Sequence, residues 1–182
     1  SDVCSSDLFT IPRGSPKQSK GLRTRQPKKQ IDRTIIEYCC DRKSPLGNNK
    51  PKDCNVVRFT EKEDMTSRKG YKQAKQAIRD AGNKCLLWSS IPCTGGCPWQ
   101  TVNKNLPGGK ERIEQHLKLF NRLWNNFEKL ARVCHQQGGR IAIEWPRNCT
   151  YWQVEKVRRL IKEIGLKEAK LDGCKFGLTD DI

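Results

Sequence analysis

Cys85-Leu86-Leu87-Trp88-Ser89-Ser90-Ile91-Pro92-Cys93 is an apolar run that breaks into a polar, proline-bearing turn, and its reading decides the fold. A short continuous apolar run bounded by turn residues reads as a buried strand, which puts Cys93 in the loop just past its end. Further on, Ile141-Ala142-Ile143-Glu144-Trp145-Pro146 repeats the arrangement with a carboxylate. In open α/β sheets, ligands bind beyond the carboxyl ends of the strands. A thiol and a carboxylate delivered there suit nucleophilic attack on a ring that must also be polarised.

Between these two segments lies the clearest helical pattern in the chain. Ile113, Leu117, Phe120, Leu123, Trp124, Phe127, Leu130, Ala131 and Cys134 recur at steps of three and four until Gly138-Gly139. That spacing predicts one long helix over 110–137 with a single apolar face, so Trp124 and Phe127 are core residues. His116 and His135 fall on or beside this helix and are given no catalytic role.

Working outward, Thr34-Ile35-Ile36-Glu37-Tyr38-Cys39-Cys40 and Cys54-Asn55-Val56-Val57-Arg58-Phe59-Thr60 read as strands, each ending in a polar stretch. A helix over 67–81 presents Tyr71, Ala74 and Ile78 on one face and stops at Gly82. Thr150-Tyr151-Trp152-Gln153 has the form of a capping box, followed by a helix with Val154, Val157, Leu160, Ile161 and Ile164 as its stripe, stopped by Gly165. Tyr151 and Trp152 are read as structural in preference to flanking an extruded base. A last strand fits 168–171. The alternation of strands and helices predicts an α/β fold, Rossmann-like, with a mainly parallel sheet and helices on both faces.

The first eight residues stand apart. Ser1-Asp2-Val3-Cys4-Ser5-Ser6-Asp7-Leu8 back-translates without a break to the end of a common sequencing-library adapter, so residues 1–8 are read as an adapter-derived scar. Setting aside Asp2 and Asp7 raises the formal charge from +16 to +18. Residues 9–33 carry eight Lys or Arg against one Asp32, which reads as a basic, unpacked leader or linker. Such a charge favours a polyanionic partner, most simply nucleic acid, a solvated basic linker being the competing reading. The domain proper is 34–182, expected to be cut short at both ends of its gene. A mean hydropathy of -0.82 without a long apolar run predicts no membrane span.

The remaining cysteines are odd in number and sit mostly inside apolar runs, as at Cys85, Cys134 and Cys149. That is unlike a secreted disulfide framework and predicts an intracellular, reducing compartment, nucleus or cytoplasm. Cys93-x-x-x-Cys97 and Cys39-Cys40 lack a second pair at finger-like spacing, so no metal site is expected. Cys97 is read as a packing residue. The oligomeric state is not legible from the sequence.

Leu86-Leu87-Trp88-Ser89-Ser90-Ile91-Pro92-Cys93-Thr94-Gly95-Gly96 resembles the nucleophile segment of DNA cytosine-5 methyltransferases, in which a strand leads into a Ser-Pro-Pro-Cys-Gln-Gly type of turn. Ile143-Glu144-Trp145-Pro146 is similar to that family's Glu-Asn-Val segment, and Phe176-Gly177-Leu178 to its Gly-Val-Pro-Gln stretch. The order and spacing carry the resemblance over roughly 34–178. It implies Cys93 as a nucleophile adding to carbon 6 of cytosine, Glu144 as the acid supporting charge at ring nitrogen 3, and S-adenosylmethionine as cofactor. Arg147, three residues past Glu144, is the first candidate for positive charge in the pocket, a surface ion pair being the competing reading.

The same resemblance implies a cofactor site at the ends of the first strands. It draws in Glu37 from the strand before the turn 39–47, Cys40 and Gly47 from that turn, Glu61 or Asp64 as the acid on the ribose, and Pro92. The turn departs from the family's pattern, with Gly47 where several glycines are expected. The family's Gln-x-Arg-x-Arg segment and target-recognition domain have no counterpart in this sequence. The competing expectation is a non-catalytic nucleic-acid-binding or mobile-element-associated module that keeps the fold.

Overall fold

A computed structural model of the chain describes the backbone of residues 5–10 and residues 33–172. Most of the basic leader and the Phe176-Gly177-Leu178 stretch therefore lie outside the described residues. The strands are β1 (Ser5–Thr10), β2 (Arg33–Tyr38), β3 (Cys54–Phe59), β4 (Cys85–Ser89), β5 (Arg140–Pro146) and β6 (Lys167–Asp172). The α-helices are α1 (Pro45–Asn48), α2 (Arg68–Ala81), α3 (Gln100–Asn103), α4 (Gly109–Gln136) and α5 (Glu155–Ile164). One sheet runs in the order β3-β2-β4-β5-β1-β6. Its first four strands are parallel, while β1 pairs antiparallel with both β5 and β6. The predicted α/β class and the strands read from the sequence are present.

Two features differ from the expectation. The first is β1, which falls where the sequence reads as a scar followed by an unpacked leader. The free edge of β5 presents a row of backbone donors and acceptors, and any extended segment can satisfy it. Ser6 to Thr10 do so in register with Pro146 to Ala142. Sequence patterning cannot reveal a pairing that draws only on backbone groups.

The second concerns the faces. From β2 to β3 the chain steps one way across the sheet, and from β3 to β4, β4 to β5 and β5 to β6 it steps the other way. Crossovers between parallel strands are right-handed, so connections stepping in the same direction place their helices on the same face. Accordingly α2, α4 and α5 share one core with Ile36, Tyr38, Leu87, Ile141, Ile143 and Trp145. The opposite face carries, among the described helices, only the single turn α1. Helices on both faces were expected; the direction of the crossovers puts the long helices α2, α4 and α5 on one and leaves α1 to the other.

Local sequence accounts for the helix ends. The Ser67 side chain accepts from the Gly70 amide at 2.9 Å to start α2. Gly138 and Gly165, at φ 75° and 68°, take the left-handed conformation just past α4 and α5. At Thr150–Gln153 the chain forms a 3-10 turn with no side-chain cap, so the capping box expected there is absent. One exists instead at Thr60, whose side chain and amide meet Glu63.

The core is aromatic. Trp124 and Trp145 have ring centroids 5.6 Å apart, and Phe120 stacks on Tyr151 at 3.7 Å. Trp124 and Phe127 are fully buried, as the helical spacing predicts. Truncating one such aromatic costs about 3–5 kcal/mol.

Candidate functional site

The direction of the crossovers reverses between β2 and β4, which makes their carboxyl ends the topological switch point of the sheet, the place where open α/β sheets bind ligands. A cavity of about 730 Å³ lies there. The loop after β2 contributes Cys39, Cys40, Asp41, Arg42 and Lys43 to its lining. The segment after β3 adds Thr60, Glu61, Asp64, Met65 and Thr66, and Pro92, Leu119 and Leu123 complete it. The volume is within the usual range for a small-molecule site.

Of the residues expected around a cofactor, Cys40, Glu61, Asp64 and Pro92 line this cavity. Glu37 and Gly47 do not. Glu37 alternates onto the opposite face of β2, where it is 1 % exposed, accepts from Arg58 Nε at 3.0 Å and is hydrogen-bonded by Ser44 Oγ. A side chain at Gly47 would meet Glu37 Oε2 at 2.6 Å, so the glycine admits this buried ion pair. Glu37 and Gly47 thus fasten α1 to the reverse of the sheet.

The acids after β3 separate by their partners. Glu63 is taken up by Thr60, which holds its carboxyl below the usual range. Asp64 accepts from the Thr66 hydroxyl at 2.6 Å and amide at 3.1 Å, and these bonds lower its carboxyl too. Glu61 lines the cavity without a hydrogen bond or ion pair from its side chain among the described residues, and so is the carboxylate available to a ligand. At the end of β2, Cys39 adopts φ 60°. Only glycine adopts that region without strain, so the backbone makes the turn that a glycine would make there.

Beyond β4, Cys93 begins a 3-10 turn, Thr94–Gly96, closed by the Gly96 amide on the Cys93 carbonyl at 2.8 Å. Two aromatic residues fix it. Trp145 on β5 donates its indole N–H to the Ile91 carbonyl at 2.6 Å, and Tyr151 packs under Gly95 and Gly96. The sequence reading did not single out either supporting role. The signal for Tyr151 was Gly95-Gly96 itself, since consecutive glycines mark a close approach of backbone to another group.

Cys93 is half-buried, and burial, reinforced by Cys97, pushes its thiol above the ordinary range. Cys149, buried beside the same turn, is pushed up to about 12 by burial, with Cys93 and Cys97 adding to it. Burial and the Cys97 thiol therefore oppose ionisation of Cys93. Among the described residues no group of three or more His, Cys, Asp or Glu could hold a metal ion.

Glu144 lies two residues from the end of β5, the strand parallel to and neighbouring β4. Its carboxylate accepts the indole N–H of Trp88 at 3.1 Å. Register puts Trp88 level with Ala142, so Trp88 and Glu144 share the face opposite the aromatic core. No hydrogen bond links Glu144 to Cys93. Arg147 is exposed and borders a separate hollow formed with Trp152, Arg158 and Arg159. Cys93 thus lies in the loop beyond β4, packed against the aromatic core, while Glu144 lies on the reverse face of the neighbouring β5, and Arg147 lines a hollow that does not include the thiol.

No family model matches the chain, and no curated protein or solved structure matches it either. No helix among the described residues is long and apolar enough to cross a membrane.

Proposed function

We propose that the chain is a catalytic fragment of a DNA cytosine-5 methyltransferase-like enzyme, taking S-adenosylmethionine at the switch point and using Cys93 as nucleophile. The observation that carries this reading is the cavity at the carboxyl ends of β2 and β3 with Pro92 in its lining, so that the next residue along is the thiol. Its lining suits such a cofactor. Met65, Leu119 and Leu123 offer apolar surface to a purine ring, Glu61 an uncommitted carboxylate to ribose hydroxyls, and Arg42 and Lys43 positive charge to an amino-acid carboxylate.

When bound there, S-adenosylmethionine supplies an electrophilic methyl group. The residues of the chain do the rest. The Cys93 thiolate forms a bond to carbon 6 of cytosine, which pushes an electron pair toward carbon 5. Glu144, steadied by Trp88, supports the charge developing at nitrogen 3. Once carbon 5 carries the methyl group, a solvent water takes its proton, the electron pair left behind forms the double bond to carbon 6, and the carbon–sulfur bond breaks to restore the Cys93 thiolate.

The raised Cys93 thiol favours a second reading, a nucleic-acid-binding module that keeps the fold without the chemistry. Two measurements decide between them. Calorimetry on the intact chain should show S-adenosylmethionine binding that weakens in Glu61→Gln. An oligonucleotide carrying 5-fluorocytosine should form a covalent adduct with the intact chain and none with Cys93→Ser. Absence of binding at millimolar cofactor, or an adduct with Cys93→Ser, would overturn the enzymatic reading.

A further inference from the structure

Cys85 and Cys134 take no part in the chemistry above, yet they meet in the interior. Cys85 opens β4 and Cys134 lies in the last turn of α4, and they are 2 % and 0 % exposed. Gly139 stands between them. Its amide donates to the Cys134 carbonyl at 2.9 Å, and it comes one residue before the paired Leu86 and Arg140, level with Cys85. A methyl group on Gly139 would stand 2.6 Å from Cys134 Sγ and 3.2 Å from Cys85 Cβ, so the glycine lets the two side chains close on each other.

Hydrogen bonding shows how near they come. A side-chain hydrogen bond joins the two thiols, and with burial it pushes the Cys85 thiol well above its ordinary range. Cys134 Sγ itself donates to the Arg140 carbonyl at 3.4 Å, which leaves its sulfur as the acceptor for the Cys85 thiol. Among the described residues the other neighbouring thiols act on one another through charge alone, as Cys39 and Cys40 do and as Cys93, Cys97 and Cys149 do. Thiols already in contact reach the ~2.05 Å of a sulfur–sulfur bond by side-chain rotation, without a shift of the backbone. The pair also lies at the amino edge of the sheet, next to the exposed Asn83, Lys84 and Gly138, which gives an oxidant a short way in.

We propose that Cys85 and Cys134 form a reversible disulfide site that closes under oxidising conditions. Each cysteine gives its proton to water; one thiolate displaces a glutathione thiolate from oxidised glutathione, and the other displaces the second from the mixed disulfide so formed. The pair is oxidised, and glutathione reduced, by the same two electrons. The bridge closes 85–134 into a covalent loop that holds the Cys93 turn, α3 and nearly all of α4. Such a cross-link restricts the unfolded chain, so it stabilises the segment that carries the Cys93 thiol. It requires no methyl transfer, so it stands or falls separately from the reading above.

The test maps the bridge in the intact chain. The reduced, folded protein is equilibrated with oxidised and reduced glutathione and quenched with acid, its remaining thiols are alkylated, and it is cut with trypsin and chymotrypsin without reduction. Cleavage after Trp88 separates Cys85 from Cys93 and Cys97. Mass spectrometry should find the fragment that begins at Cys85 linked to the one that holds Cys134, lighter by two hydrogens than the free thiols. The same oxidation in denaturing urea should scatter the pairing among the cysteines. The bridged chain should unfold at higher urea than the reduced chain, whereas Cys85→Ala should unfold at the same urea in both buffers. Recovery of Cys134 as an alkylated thiol, in buffers that oxidise the urea-unfolded chain, would overturn the proposal. So would a Cys85–Cys134 yield no greater from the folded chain than from urea, which would make the two thiols ordinary packing residues.

Discussion

Tyr151 lies directly beneath Gly96: a methyl group on that glycine would stand 2.7 Å from Tyr151 Cδ1 and 2.9 Å from Cys149 Sγ. Tyr151 in turn stacks on Phe120 and meets Trp145 edge-on, so it has no room to retreat. Gly96→Ala should therefore destabilise the protein by about 1–3 kcal/mol, the usual cost of overfilling a packed interior. Urea unfolding followed by circular dichroism checks this, and Cys149→Ala in the same chain should recover part of the loss.

The acids after β3 differ in their commitments, and two isosteric substitutions should separate them. Glu63→Gln removes the charge from the Thr60 cap and should cost about 1 kcal/mol of stability while leaving ligand affinity intact. Glu61→Gln touches no intramolecular bond and should leave the unfolding midpoint unchanged while weakening S-adenosylmethionine several-fold. Paired urea titration and calorimetry read both effects.

Glu37 tests scaffold against site in the opposite sense. Its carboxylate is 1 % exposed while Arg58 keeps 28 % of its side-chain surface in water. Glu37→Ala leaves a half-buried guanidinium without its partner and should cost about 3 kcal/mol, the low end for breaking a buried pair because Arg58 can still reach solvent. Cofactor affinity of the folded fraction should not change. A loss of affinity with unchanged stability would return Glu37 to the ligand site.

The buried thiols make stability depend on alkaline pH. Cys40 is pushed up to about 11 and Cys149 to about 12, chiefly by burial, whereas an unfolded thiol titrates near ~8.5. A group whose folded pKa is raised holds its proton in the folded state after the unfolded chain has released it. Its contribution is full below the unfolded pKa and is lost as pH rises toward the folded value. Under reducing conditions, stability should fall from about pH 8.5 upward, by at most about 1.4 kcal/mol per pH unit for each fully buried thiol. Cys149→Ala should shallow that slope in urea titrations at pH 7.5 and 9.5.

Strands and helices were legible because their signals are local. The apolar runs at 34–40, 54–60, 85–88 and 141–146 and the three-and-four spacing of α4 each declare their element without help from the rest of the chain. What stayed hidden depends on partners distant in sequence. Glu37, Glu61 and Asp64 are equivalent as carboxylates near strand ends, and only Arg58 and Thr66 distinguish them. Thr150-x-x-Gln153 and Thr60-x-x-Glu63 match the same cap pattern, yet only the second closes. Arg147 sits three residues from Glu144 in sequence, but the turn past β5 carries it to the side of α5. The placement of α2, α4 and α5 on a single face follows from strand order, which no run of residues displays.

That one-sided placement divides each central strand into two histories. Ile36, Tyr38, Leu87, Ile141, Ile143 and Trp145 answer to the aromatic cluster beneath three helices, where a change of one methylene is felt by several neighbours at once. Ile35, Leu86 and Ala142, one residue away along the same strands, stand outside that cluster. Of these three Leu86 alone keeps appreciable exposure, so drift on the reverse face should be freest at Leu86 and least at Glu37, which Arg58 holds.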